Sequence, residues 1–151
     1  MNHYIIDGNN LIGKIKKLKQ LHNKNKQQSA EQLAFMLGRY FGKKNVKVSL
    51  HFDGFQSDQP KVSGLRIIYS GKTTADEKIK NEISKSKNPK KIILITSDSN
   101  LAEFGKVCSC QILKSEEFAK QLKSSQEIDE EKSRIDEMQN SKEFKRLFGV
   151  E

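Results

Sequence analysis

The sequence predicts an α/β domain in which a mostly parallel, roughly five-stranded sheet lies between two helical layers, with a helical tail after it. Three observations carry this. Short apolar runs recur between turn residues, helical patterns separate them, and several runs are continuous rather than alternating, as strands covered on both faces require.

In chain order, the first strand is His3 to Ile6, ending in the turn dipeptide Asp7-Gly8. Ser29 to Phe41 repeats Ala30, Leu33, Ala34, Leu37, Tyr40 and Phe41 at three- and four-residue spacing, which predicts a helix stopped by Gly42. Val46 to Phe52 and Leu65 to Tyr69 are the next strands. A helix from about Thr74 to Lys87 follows, with Ala75, Ile79 and Ile83 on one face, Thr74 and Glu77 as a capping box, and Asn88-Pro89 as its stop. Ile92 to Ile95 is a strand, Ser99 to Gly105 a short helix, Gln111 to Leu113 the last strand, and Ser115 to Leu122 the helix after it. Beyond Ser124 the composition shifts: residues 127–137 carry six acids against two bases. This predicts a main domain over 1–123 and an acidic helical tail over 124–151, which Phe144, Leu147 and Phe148 would dock onto the body or a partner.

The length of 151 residues fits one such domain. No stretch of about 18 apolar residues is present, and Met1 leads almost at once into a strand, so the expected location is cytoplasmic. Cys108 and Cys110, the only cysteines, are too few for a disulfide framework or a zinc site; in a strand they would share a face about 6.6 Å apart. The net charge of +9 is concentrated at the start: residues 1–52 hold ten Lys and Arg against Asp7 and Glu31. Lys14, Lys16, Lys17, Lys19, Lys24 and Lys26 form its densest part, a patch that favours RNA or another polyanion. A merely soluble, lysine-rich surface is the plainer explanation of the same run.

In a parallel sheet every strand's C-terminal end opens on one crevice. Ile6-Asp7-Gly8-Asn9-Asn10, Phe52-Asp53-Gly54 and Ile95-Thr96-Ser97-Asp98 each bring an aspartate there, and Asp76 joins them from the first turn of the helix after Leu65 to Tyr69. Each has an ordinary role as a turn or capping residue. Converging, they would repel unless a divalent cation neutralised them, and an all-oxygen set suits Mg²⁺ or Mn²⁺. Thr73, Thr74, Thr96 and Ser97 supply hydroxyls for the carboxylates or a phosphate. His3 and His51 lie inside strands and are expected to be structural, and His22 is expected at the surface. Phe55 and Tyr69 are expected either in the core or stacked on bases.

Tyr4-Ile5-Ile6-Asp7-Gly8-Asn9-Asn10-Leu11-Ile12, Phe52-Asp53-Gly54, Thr74-Ala75-Asp76-Glu77-Lys78-Ile79 and Ile95-Thr96-Ser97-Asp98, in this order, resemble the NYN domains of the PIN-like nuclease superfamily, in particular the YacP-like branch. The resemblance covers most of residues 3–123 and implies endonucleolytic cleavage of RNA; association with the ribosome is compatible with it but not read from it. It also implies a Mg²⁺ or Mn²⁺ site of Asp7, Asp76 and Asp98, supported by Asn9, Asn10 and Asp53. Such a metal would activate water for in-line hydrolysis of a phosphodiester while lysines hold flanking phosphates. The chain departs from many PIN-like nucleases after Asp98, where Ser99 and Asn100 replace a further acid; Asn100 can hold a metal's water, and one metal is expected rather than two.

Two other functions fit parts of the pattern. An aspartyl-phosphate phosphotransferase also uses an aspartate after its first strand, but its second aspartate would fall at Asn9, and no glycine-rich phosphate loop is present. A non-catalytic RNA-binding or ribosome-associated module would keep the fold and the basic face without the metal. Pairing of two chains into a homodimer is compatible with either.

Overall fold

The computed structural model describes residues 1–56 and 61–147, without the side chains of residue 133 and residues 136–147. Its elements are β1 (Asn2–Asp7), α1 (Gly8–Ile12), α2 (Lys16–Lys24), α3 (Lys26–Phe41), β2 (Val46–Phe52), β3 (Leu65–Tyr69), α4 (Ala75–Lys85), β4 (Ile92–Ile95), α5 (Ser99–Val107), β5 (Gln111–Leu113) and α6 (Ser115–Leu147), with a short 3-10 turn at Pro89–Lys91. Among the described residues no helix is long and apolar enough to cross a membrane.

All four strand pairings are parallel, in the order β3-β2-β1-β4-β5, so the expected α/β fold is present. β1 is central, with Ile5 opposite Ser49 of β2 and Leu94 of β4. That position explains its near-continuous apolar run, since Ile5 and Ile6 are both fully buried, one on each face. On one face Ile5, Ile92 and Leu94 pack with Ile79 and Ile83 of α4, Leu101 of α5 and Cys110. On the other, Phe41 of α3 lies 4.7 Å from Tyr4 and 6.0 Å from Phe118, ring centre to ring centre.

Residues 14–26, expected only as a basic stretch, form α2 and the start of α3. The helical signal is hidden because α2 has one buried residue, Leu18, among four lysines. Asn25 caps α3, its side chain accepting from the Gln28 amide at 3.1 Å, so α3 starts before the expected Ser29. Ser29 is instead buried, and its hydroxyl lies 3.0 Å from His22 Nδ1. His22 is therefore a half-buried structural residue rather than a surface one. Cys108 and Cys110 lie in the turn between α5 and β5, not in a strand; both are free, and Ser109 between them has φ of 72°.

The chain divides into a body, Met1–Ala119, and a second unit, Lys120–Glu151. The segments expected as Ser115 to Leu122 and a separate tail are one helix, α6. Nothing between them breaks it, since Ser124-Ser125 is neither Gly nor Pro. The docking expected of Phe144, Leu147 and Phe148 falls on side chains outside the described residues.

Gly8 ties the fold to the predicted site. A Cβ there would lie 2.5 Å from the Phe52 ring and 2.6 Å from the His51 carbonyl oxygen, so α1 can start directly against β2 only with glycine. Gly8→Ala is expected to lower stability by about 1–3 kcal/mol through overpacking, read as a shifted denaturant midpoint.

Candidate active site

Parallel strands deliver their C-terminal loops to one edge, and the aspartates stand along it. Asp7 ends β1 and precedes α1, Asp53 follows β2, Asp76 is in the first turn of α4, and Asp98 caps α5. Asp7 is the most enclosed of the four. Burial pushes its carboxyl up to about 6, and the charges of Asp53 and Asp98 push the same way. The Thr96 hydroxyl opposes them by donating to Asp7 Oδ2 at 3.1 Å.

Thr96, fully buried, also links two of the acids. Its Oγ1 accepts from the Asp98 amide at 3.1 Å while its proton points to Asp7. Asp98 Oδ1 accepts from the Leu101 amide at 3.0 Å, so this residue both caps a helix and contributes charge at the edge.

Neighbouring asparagines on α1 hold the loops on either side. Asn9 Oδ1 accepts from the Asp53 amide at 2.9 Å; Asp53 Oδ1 in turn accepts from the Ala75 amide at 2.8 Å, and Thr74 Oγ1 accepts from the Glu77 amide at 3.2 Å. Together Asp53 and Thr74 hold the first turn of α4, and hence the backbone of Asp76. Asn10 Oδ1 accepts from the Ser97 amide at 2.9 Å and from the Ser115 hydroxyl at 2.7 Å. Asn10→Ala would leave both donors without their acceptor, for an expected loss of about 1–3 kcal/mol in thermal or denaturant unfolding.

The expected set is not gathered uniformly. Asp53 and Asp98 both act electrostatically on Asp7, whereas the Asp76 carboxylate lies 3.1 Å from Lys80 Nζ, one turn along α4. Asn100 is exposed in the first turn of α5, and the Thr73 hydroxyl donates to the Ser70 carbonyl. Among the described residues no three His, Cys, Asp or Glu side chains stand close enough to cage a metal. Mg²⁺ does not need such a cage, because it keeps several waters and takes one or two carboxylates. The all-oxygen donors around Asp7 fit that ion, and a cation beside this carboxyl, raised chiefly by burial, would favour its ionised form.

One acid at this edge was overlooked in the sequence. Glu116, in the first turn of α6, accepts a hydrogen bond from the Ser97 hydroxyl, and that bond holds its carboxyl below the usual range. The strand-end rule that picked out the aspartates would have found it, since Ser115-Glu116 directly follows the last strand and Lys114. Lys14 also belongs here, its charge acting on Glu116 together with that of Lys114. Lys16, Lys17, Lys19 and Lys24 are exposed along α2, and Lys26 is exposed at the start of α3. His3 and His51 are structural as expected: His3 Nε2 lies 2.9 Å from Ser49 Oγ, and buried His51 places Nε2 3.4 Å from Glu82. Tyr69 packs on Phe52 at 5.5 Å, while Phe55 is 72% exposed beside the edge.

Residues 4–148 match the model of the YacP-like NYN domain family. The chain belongs to that family. As a YacP-like NYN domain it falls within the PIN-like nuclease superfamily, which agrees with the resemblance carried by its four motifs. Its fold is that of Rae1 (YacP) from Bacillus subtilis: against one crystal structure of that protein the TM-score is 0.74 at 21% identity, covering 99% of this chain and 93% of the other. Against a crystal structure of a mutant of the same protein the values are 0.75 and 20%, covering 89% and 83%. The sequence has no significant match among curated proteins.

Proposed function

We propose that this YacP-like NYN domain is a divalent-metal-dependent endoribonuclease that hydrolyses RNA phosphodiester bonds at the edge headed by Asp7. The observation that carries the reading is the state of Asp7, a carboxyl enclosed at the strand edge and raised to about 6, in part by two other aspartates. A buried carboxyl so raised, in a strand-end crevice beside other acids, is a candidate for a functional group.

Asp7 and Asp98 would hold Mg²⁺ or Mn²⁺, with Asp76 joining them. The Asp76–Lys80 pair is partly exposed and worth no more than about 1 kcal/mol, so exchanging it for a cation costs little. The ion would supply Lewis-acid activation of water and neutralise charge building on the phosphate. The chain's own residues do the positioning. Thr96 holds the Asp7 carboxylate in place and lowers its proton affinity, Asp53 fixes the first turn of α4, and Ser97 orients Glu116. Lys14, Lys16, Lys17, Lys19, Lys24 and Lys26 would bind flanking phosphates without reading sequence. A soluble cytoplasmic enzyme is the corresponding cellular setting.

Cleavage of end-labelled RNA with Mg²⁺ or Mn²⁺, and none in EDTA, is the expected result; cutting that persists in EDTA would refute metal dependence. The pairing of Asp76 with Lys80 and the lack of an acid after Asp98 favour a second reading, an RNA-binding module without catalysis. Salt-dependent binding with no cleavage of any RNA under either ion would select it.

A further inference from the structure

α4 packs over β1 and β2 on one sheet face, where Ser49 and His51 are buried, but β3 at the edge of the sheet is only partly covered. The result is a groove of about 520 Å³ between α4 and β3. It begins near the aspartate edge, at Lys78 at the end of the first turn of α4, and runs beside that helix to Lys85, about 10 Å away at 1.5 Å per residue, and to Lys87 just past the helix end. Lys47 and Arg66 line it from β2 and β3. These five cations are all exposed, and among the described residues none makes an ion pair. Glu82 is the only acid of the described lining, and it is turned to His3 and His51. Burial lowers the pKa of His3, so it adds no charge at neutral pH.

Five uncompensated cations in a concave surface call for an anionic ligand. The described lining has no Phe, Tyr or Trp on which a base would stack, which selects a sugar–phosphate backbone. We infer that the α4–β3 groove binds the sugar–phosphate backbone of single-stranded RNA leaving the aspartate edge. This rests on RNA being the substrate. It adds a second basic track, on the sheet face opposite to the α1–α3 layer that carries the Lys14 to Lys26 run.

The test is binding of a labelled single-stranded oligoribonucleotide of 15 nucleotides in EDTA, across a salt series, to the wild type, Lys85→Ala/Lys87→Ala and Lys47→Ala/Arg66→Ala. Each double variant is expected to bind about 25-fold more weakly at 0.1 M salt, with a salt slope shallower by about 1.4. Wild-type affinity and slope in both variants would overturn the groove and leave the nuclease reading intact. Failure of the wild type itself to bind any RNA would overturn both. Acetylation of Lys47, Lys78, Lys85 and Lys87, followed by mass spectrometry on the wild type, needs no variant to fold: the oligonucleotide is expected to protect all four, and unchanged labelling refutes the proposal.

Discussion

Asp7→Asn is expected to lower RNA cleavage at least about a thousandfold, some 4 kcal/mol of barrier, and at the same time to make the protein more stable. The second effect follows from the sign of the shift. A carboxyl with a folded pKa of about 6, above its ordinary value of 3.8, is favoured by folding in its protonated form. Its stabilising share is fully present below about pH 4 and is lost as pH rises to about 6, leaving a penalty of roughly 2–3 kcal/mol at neutral pH. Asparagine carries no charge and can still accept from Thr96. The variant should therefore melt roughly 5–10 °C above the wild type at pH 7.5 and level with it near pH 4. Mg²⁺ is expected to raise the melting temperature of the wild type and not that of Asp7→Asn. An Asp7→Asn protein that still cuts RNA, or that is no more stable at pH 7.5, would contradict the assignment of Asp7.

The next largest effect concerns Asp98, where capping and chemistry can be separated. Asn serves as an N-cap about as well as Asp, so Asp98→Asn keeps the acceptor for the Leu101 amide and removes only the charge. Cleavage should fall about a hundredfold with the melting temperature nearly unchanged. Asp98→Ala removes both functions and should lose about 1 kcal/mol of stability in addition. Wild-type cleavage by Asp98→Asn, with destabilisation only in the alanine variant, would reduce Asp98 to a cap.

Much of this was legible in the residues because burial leaves a linear signature. The continuous apolar runs of β1 and β4 announced strands covered on both faces, and the aspartates closing β1, β2 and β4 followed from chain direction alone. The Thr74 capping box was readable for the same reason, since both partners lie within one turn. What escaped notice depended on contacts distant in sequence. α2 is hidden by its lysines, and the pairing of the Asp76 carboxylate with Lys80 depends on side-chain rotamers that the sequence does not reveal. Glu116 is 109 positions from Asp7 along the chain and meets the edge only through Ser97. The groove between α4 and β3 depends on which strands the helices leave uncovered, a property of sheet order rather than of any segment.

The single oxygen of Asn10 that accepts from both Ser97 and Ser115 also has a kinetic meaning. Ser97 closes the arrangement by accepting from the Ser115 amide at 3.0 Å, so the loops after β1, β4 and β5 are latched by one small ring of polar atoms. None of the three can open without breaking bonds held by another, which makes them one cooperative unit of local unfolding. The amides of Ser97 and Ser115 should then exchange with deuterium at a common rate, set by the opening of the whole edge. An edge built this way would open with its loops together rather than one by one.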